Sequence, residues 1–141
     1  MMKTRFLFFT IFTVANLGLV LYGVLALTMP GILLEPFSQH VYRFPANATR
    51  ATVYLQALFR LLGFFNIILG MIGLLLLYRL RASLQTWILR TVILSTASAY
   101  LGPIIFDNTV GDIGFFEIVE HILFALVIIP GAIMWTGRNA N

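Results

Sequence analysis

The sequence predicts an all-α fold, an integral membrane four-helix bundle with both termini on the cytoplasmic side, and three observations carry that reading. Of the 141 residues, 60% are hydrophobic and only 10% are charged, against about 25% charged in an ordinary soluble domain. Four apolar runs reach the roughly 20 residues that a helix needs to cross about 30 Å of hydrocarbon. Most of the nine basic residues stand beside the same ends of those runs, as the positive-inside rule describes.

Lipid offers the backbone no hydrogen-bonding partner, so runs of this length must be helices and not open strands. The first, over residues 6–27, follows Lys3 and Arg5. Its basic start and its small residues from Gly23 to Ala26 also fit a signal peptide, but the apolar stretch is too long for one, and an uncleaved helix is the reading taken. Residues 28–52 form the first connection, on the outer side. Pro30, Pro36 and Pro45 break any long helix there, while Leu33, Leu34, Phe37, Val41, Tyr42 and Phe44 keep it apolar. A segment lying across the membrane surface and an ordinary connector are both open readings. Asn47-Ala48-Thr49 matches the glycosylation acceptor pattern, a match short enough to arise by chance. His40 reads as an interfacial imidazole, with no second metal ligand spaced to it.

The second run, 53–77, ends before Arg79 and Arg81. The third, 86–105, carries Arg90 near its start, and the fourth, 115–135, is followed by Arg138. These cations put both termini and the second connection in the cytoplasm, with Arg43 and Arg50 as mild exceptions. Arg79, Arg81 and Arg90 read as headgroup anchors, and Trp87 and Trp135 as aromatic anchors at the same interface. Asp107 and Asp112 fall in the short outer connection 106–114, where solvated carboxylates are ordinary. The whole chain, 1–141, reads as one domain.

The polar residues inside the runs set the functional question. Gln56 and Arg60, four residues apart, share a helix face with Gly63 and Gly70. Gly63, Gly70 and Gly73 thin the second helix for close packing, and they lack the loop-and-helix-start context of a phosphate cradle. Glu117, Glu120 and His121 share one face of the fourth helix, continued by Phe124. The second and fourth helices run the same way, so position converts to depth at about 1.5 Å per residue, which puts Arg60, Glu120 and His121 roughly 8–11 Å below the outer boundary. Ser98, Tyr100 and Tyr22 reach a similar level.

A lone charge at mid-helix costs about 2.5–3.5 kcal/mol on insertion scales. The expectation is therefore a ligand-binding or buried polar cluster of Gln56, Arg60, Tyr100, Glu117, Glu120 and His121, in which Arg60 pairs with Glu120 or Glu117. The two carboxylates repel one another, so a shared proton and a network that only fixes helix register are the alternatives. Asn16 is placed to hydrogen-bond across helices.

Several classes drop out. The chain has no cysteine, which removes disulfides, thiolate nucleophiles and thiolate-held clusters. Carboxylate-bridged di-iron bundles use Glu-x-x-His on two helices; here one helix supplies Glu117, Glu120 and His121 without that spacing, and no metal site is assigned. The basic residues are scattered around helix ends, which fits topology and not a nucleic-acid patch.

The stretches "LALTMPGILLEPF", "ALFRLLGFFNIILGMIGLLLL" and "FFEIVEHILFALVII" together resemble the DoxX-like superfamily of small four-helix membrane proteins, over nearly the whole chain. The resemblance implies a four-helix bundle and, for the DoxX branch, an accessory subunit beside a quinone-linked oxidoreductase. Arg60, Gly63, Gly70 and Glu117 or Glu120 are the positions that match its pattern. The second glutamate and His121 depart from it, and the absence of cysteine turns the expectation from redox chemistry on this chain toward ligand binding or assembly. The expected role is an accessory or binding protein for a lipophilic ligand, a quinone or lipid, or for a membrane partner or a second copy. The competing readings are a membrane enzyme using Glu120 and His121 as an acid–base pair, helped by Arg60, and a purely structural subunit. The bacterial cytoplasmic membrane is the expected location.

Overall fold

Four long helices follow from the four apolar runs. The computed structural model describes the backbone of residues 2–34, 49–110 and 115–139. The helices are α1 (Met2–Thr28), α2 (Thr49–Ala82), α3 (Thr86–Val110) and α4 (Phe115–Asn139), and residues 30–34 add a short helical turn after α1. All four are long and apolar enough to cross a membrane. Each outruns the apolar stretch that predicts it, because a helix goes on satisfying its own backbone after the side chains turn polar. The largest extension is in α2, whose 34 residues span about 51 Å.

The helices pack antiparallel in sequence order. Along α1 and α2, Phe9 meets Arg81, Asn16 meets Gly73 and Gly23 meets Gly63, one number rising as the other falls. Arg90 meets Trp135, and Gly131 meets Ile93, across α3 and α4 in the same sense. Both termini therefore lie at one end of the bundle, called here the terminal end; the other is the far end. Helix α1 touches the other three, whereas among the described residues no Cα atoms of α2 and α4 come within 8 Å. The cross-section is a rhombus with α1 and α3 on its short diagonal.

The closest approach is between α1 and α2. A Cβ added at Gly63 would sit 2.6 Å from the Gly23 carbonyl oxygen, and one at Gly70 would sit 2.7 Å from that of Asn16. Helix backbones this close gain dispersion contacts that lipid tails do not match, and that is how small residues drive association where burial from water is no longer the force. One turn further on, a Cβ at Gly73 would overlap the Asn16 side chain. Fully buried Asn16 keeps its amide satisfied by donating from Nδ2 to the Phe12 carbonyl at 2.7 Å and to Thr96 Oγ1 of α3 at 3.1 Å. One side chain thus ties three helices together.

Among the described residues, the apolar core is thickest toward the terminal end. Phe8 and Phe12 stack with centroids 4.3 Å apart, packed among Leu77, Leu80, Leu89, Val92 and Val127. The outward faces of α2 and α4 are open: Leu61, Phe64, Leu75, Ile122 and Ile129 are all at least half exposed. Contiguous apolar surface of that kind is untenable in water and ordinary against lipid.

Replacing Gly73 with alanine should lower stability in detergent micelles by about 1–3 kcal/mol through overpacking, and Asn16→Ala in the same chain should recover part of that loss by vacating the space. Thermal denaturation of the two single variants and the double variant checks this. Additive losses would contradict the close contact.

Candidate functional site

The residues singled out from the sequence do not form a single layer in the structure. Their positions divide between the corner occupied by α2 and the seam between α3 and α4. On the seam, Tyr100, Ile104 and Asn108 recur every four residues and so share one face of α3. Glu120 and His121 stand half-buried on α4.

Tyr100 is almost fully buried and donates its hydroxyl hydrogen to the Ala15 carbonyl of α1 at 2.8 Å. It fits because Gly18 leaves space: a Cβ there would be 3.3 Å from the phenol oxygen. On α4, the half-buried Glu120 has its Oε2 shielded from solvent. Nearer the far end, Asn108 donates from Nδ2 to the Ile104 carbonyl at 2.8 Å, and the same nitrogen lies 3.4 Å from Nε2 of His121. Tyr100, Asn108, Glu120 and His121 therefore form a polar seam toward the far end.

Arg60 is elsewhere. Its side chain is exposed on α2, the helix that makes no close approach to α4. Among the described residues the expected pairing of Arg60 with Glu120 is not formed, and the other expected partner, the Glu117 side chain, lies outside them. Along the axis, Gly63 packs against Ala26, which puts Arg60 beside the last turn of α1. Depth, however, says nothing of which corner of the rhombus a helix occupies. Arg60 and Arg79 are nineteen residues apart, about 28 Å of helix, close to the thickness of the hydrocarbon core. An arginine at that boundary reaches headgroups and water without an internal partner.

Gln56 is half-buried, one turn beyond Arg60 on α2, and Ser98 is exposed on α3; neither joins the seam. Tyr22 is half-buried and engaged in an interaction of its own. The Glu117 side chain, His40, Asn47 and Ala48 lie outside the described residues. Asn108 is the member that sequence reasoning missed. The apolar run stops at Ile105, which placed Asn108 in a connection, but α3 continues to Val110. The four-residue spacing from Tyr100 through Ile104 was the available signal.

Chemically, the seam offers a carboxylate, an imidazole, an amide and a phenol already committed to a backbone carbonyl. Glu120 and His121 are adjacent on a helix, so their side chains diverge by about 100° and do not face one another. His121 lies beside Asn108 while Glu120 leaves the helix at a different angle, which suits two contacts on a ligand better than one concerted proton transfer. Among the described residues no three His, Cys, Asp or Glu side chains gather as metal ligands. Comparison with known proteins finds no matching family model, no matching curated protein and no matching solved structure.

The absence of native cysteine allows a direct check of the placements. A maleimide reagent should label an Arg60→Cys variant rapidly and an Asn16→Cys variant hardly at all. A double-mutant cycle between Arg60→Gln and Glu120→Gln should show coupling below about 0.5 kcal/mol, the range for residues with no shared partners. Protection at position 60, or coupling above that value, would restore the expected pair.

Proposed function

We propose that this chain is a multi-pass membrane protein that binds the polar head of a lipophilic molecule, a quinone or a lipid, in accessory service to a membrane partner. The observation that carries this reading is the seam itself: Glu120 and His121, half-buried at the membrane-boundary end of α4, with His121 beside Asn108 of α3. A head with two polar atoms would meet a carboxylate acceptor and an imidazole, while its tail would lie along the open apolar faces of the helices. Tyr100, locked to Ala15, would hold the floor of the site.

The resemblance to the DoxX-like superfamily stands within this proposal as its support for an accessory role. So does the orientation: the basic residues of the terminal end favour that end facing the cytoplasm, with the seam in the opposite leaflet. A bacterial cytoplasmic membrane is the proposed location. An enzyme built on Glu120 and His121 is the second reading, weakened by their divergent directions.

Native mass spectrometry of protein extracted gently from its own membrane should show a protomer carrying one small lipophilic adduct. Glu120→Gln should lose most of that adduct while keeping the wild-type melting temperature. A bare wild-type protomer, or an adduct indifferent to Glu120→Gln, would remove the proposal; turnover of a lipid-soluble substrate abolished by the same variant would favour the enzyme.

A further inference from the structure

The node where Asn16 ties three helices together has a counterpart one heptad nearer the far end. Gly73 of α2, Asn16 of α1 and Thr96 of α3 meet at the first node. Seven residues toward the far end along each helix stand Asn66, Gly23 and Pro103, which recur on the same helix faces about 10 Å further along the axis. The register of α1 on α2 holds there, because a Cβ added at Gly23 would lie 2.9 Å from the Ile67 nitrogen. At the first node the amide sits on α1 and finds its acceptors within the chain. At the second it sits on α2, and among the described residues the Asn66 amide meets no hydrogen-bond partner.

Asn66 lies within the hydrocarbon, six residues from Arg60 and thirteen from Arg79, about 9 and 20 Å along α2. A polar group at that depth costs free energy until it is hydrogen-bonded. Helix α3 offers an acceptor at the same level. Pro103 stands inside that helix and has no N–H, so the Ala99 carbonyl, which points along the axis toward it, lacks the donor four residues on. The surroundings are open on this side. Ile88, Val92, Ala99 and Pro103 share one face of α3; the first two are buried, the last two half-buried. The same change runs along α2, where Leu77 and Leu80 are buried, Asn66 is half-buried and its neighbours Leu62 and Leu69 are exposed. Gly102, beside Pro103, is exposed, and an added Cβ there would meet nothing within 4 Å outside its own turn.

We infer that the opening between α2 and α3 is a binding site for a hydroxyl-bearing lipophile, whose hydroxyl accepts from the Asn66 amide and donates to the Ala99 carbonyl. A hydroxyl fills both roles from one oxygen. A ketone or an ether would answer the amide and leave the carbonyl without a donor. The apolar body of the molecule lies along Leu62, Leu69 and the open flank of Gly102. This site is separate from the α3–α4 seam, because Asn66 belongs to the helix that makes no close approach to α4, and neither depends on the other.

Radiolabelled hexadecanol is the probe, its binding to the purified protein in detergent read by scintillation proximity. Unlabelled hexadecanol should displace it. Hexadecyl methyl ether, which keeps the acceptor oxygen and loses the donor, should displace it roughly fivefold less well, the weight of one hydrogen bond. Asn66→Leu should weaken hexadecanol binding by a similar factor. Pro103→Ala, which gives the Ala99 carbonyl a donor within its own helix, should do the same, and it is the variant to use where Asn66→Leu folds poorly. Ser98→Ala, exposed on α3, should change nothing. No displaceable binding, equal displacement by alcohol and ether, or wild-type affinity in both Asn66→Leu and Pro103→Ala would overturn the inference and leave the node to water.

Discussion

The structure depends on how closely α1 can approach α2. In lipid, exposing leucine or phenylalanine carries no penalty, so helices associate through contact area and internal hydrogen bonds. Gly23 against Gly63, and Gly70 and Gly73 against the turn around Asn16, supply that contact by removing side chains where the backbones meet. The position of α1 then decides the rest. Asn16 gives its amide to Thr96, and Ala15 gives its carbonyl to Tyr100, so α3 is registered on α1 by two buried polar contacts. Helix α4 closes the bundle against both, with Gly131 admitting Ile93 and Phe12.

This arrangement accounts for the uneven distribution of polarity. Large apolar side chains fill the terminal half, where Phe8 and Phe12 stack. The far half is held more by small residues and by Tyr100, which leaves α3 and α4 free to carry Asn108, Glu120 and His121 between them. A polar seam near a membrane boundary is cheaper than the same groups at mid-depth, because water and headgroups are within reach of long side chains. That is the physical reason the fourth helix tolerates Glu120 and His121, and it requires no buried arginine.

Much of this was legible in the sequence. The existence and order of the four helices followed from run length alone, and the spacing of Gly63, Gly70 and Gly73 indicated a thin face on α2. Asn16 was visible as a bridging residue, although Thr96 as its partner was not. What failed was inference across helices. Axial position can be counted from a sequence, but the neighbours of a helix depend on packing, and packing put α2 and α4 on the long diagonal. Arg60 and Glu120 therefore stand on helices that do not meet. Asn108 was hidden for a different reason: hydropathy ends where polar residues begin, while the helix that carries them does not.

The tight α1–α2 interface also bears on how the chain is made. Synthesis proceeds from the N-terminus, and early segments assemble first, so of these four helices the two with the closest fit enter the membrane ahead of the others. They can form a hairpin before α3 exists. Until Thr96 arrives, the Asn16 amide retains the Phe12 carbonyl of its own helix as an acceptor for one of its hydrogens, so the nascent hairpin never holds that group wholly without a partner in hydrocarbon. The later helices then dock onto a surface already shaped, with Ala15 and Asn16 as the marks that set their register.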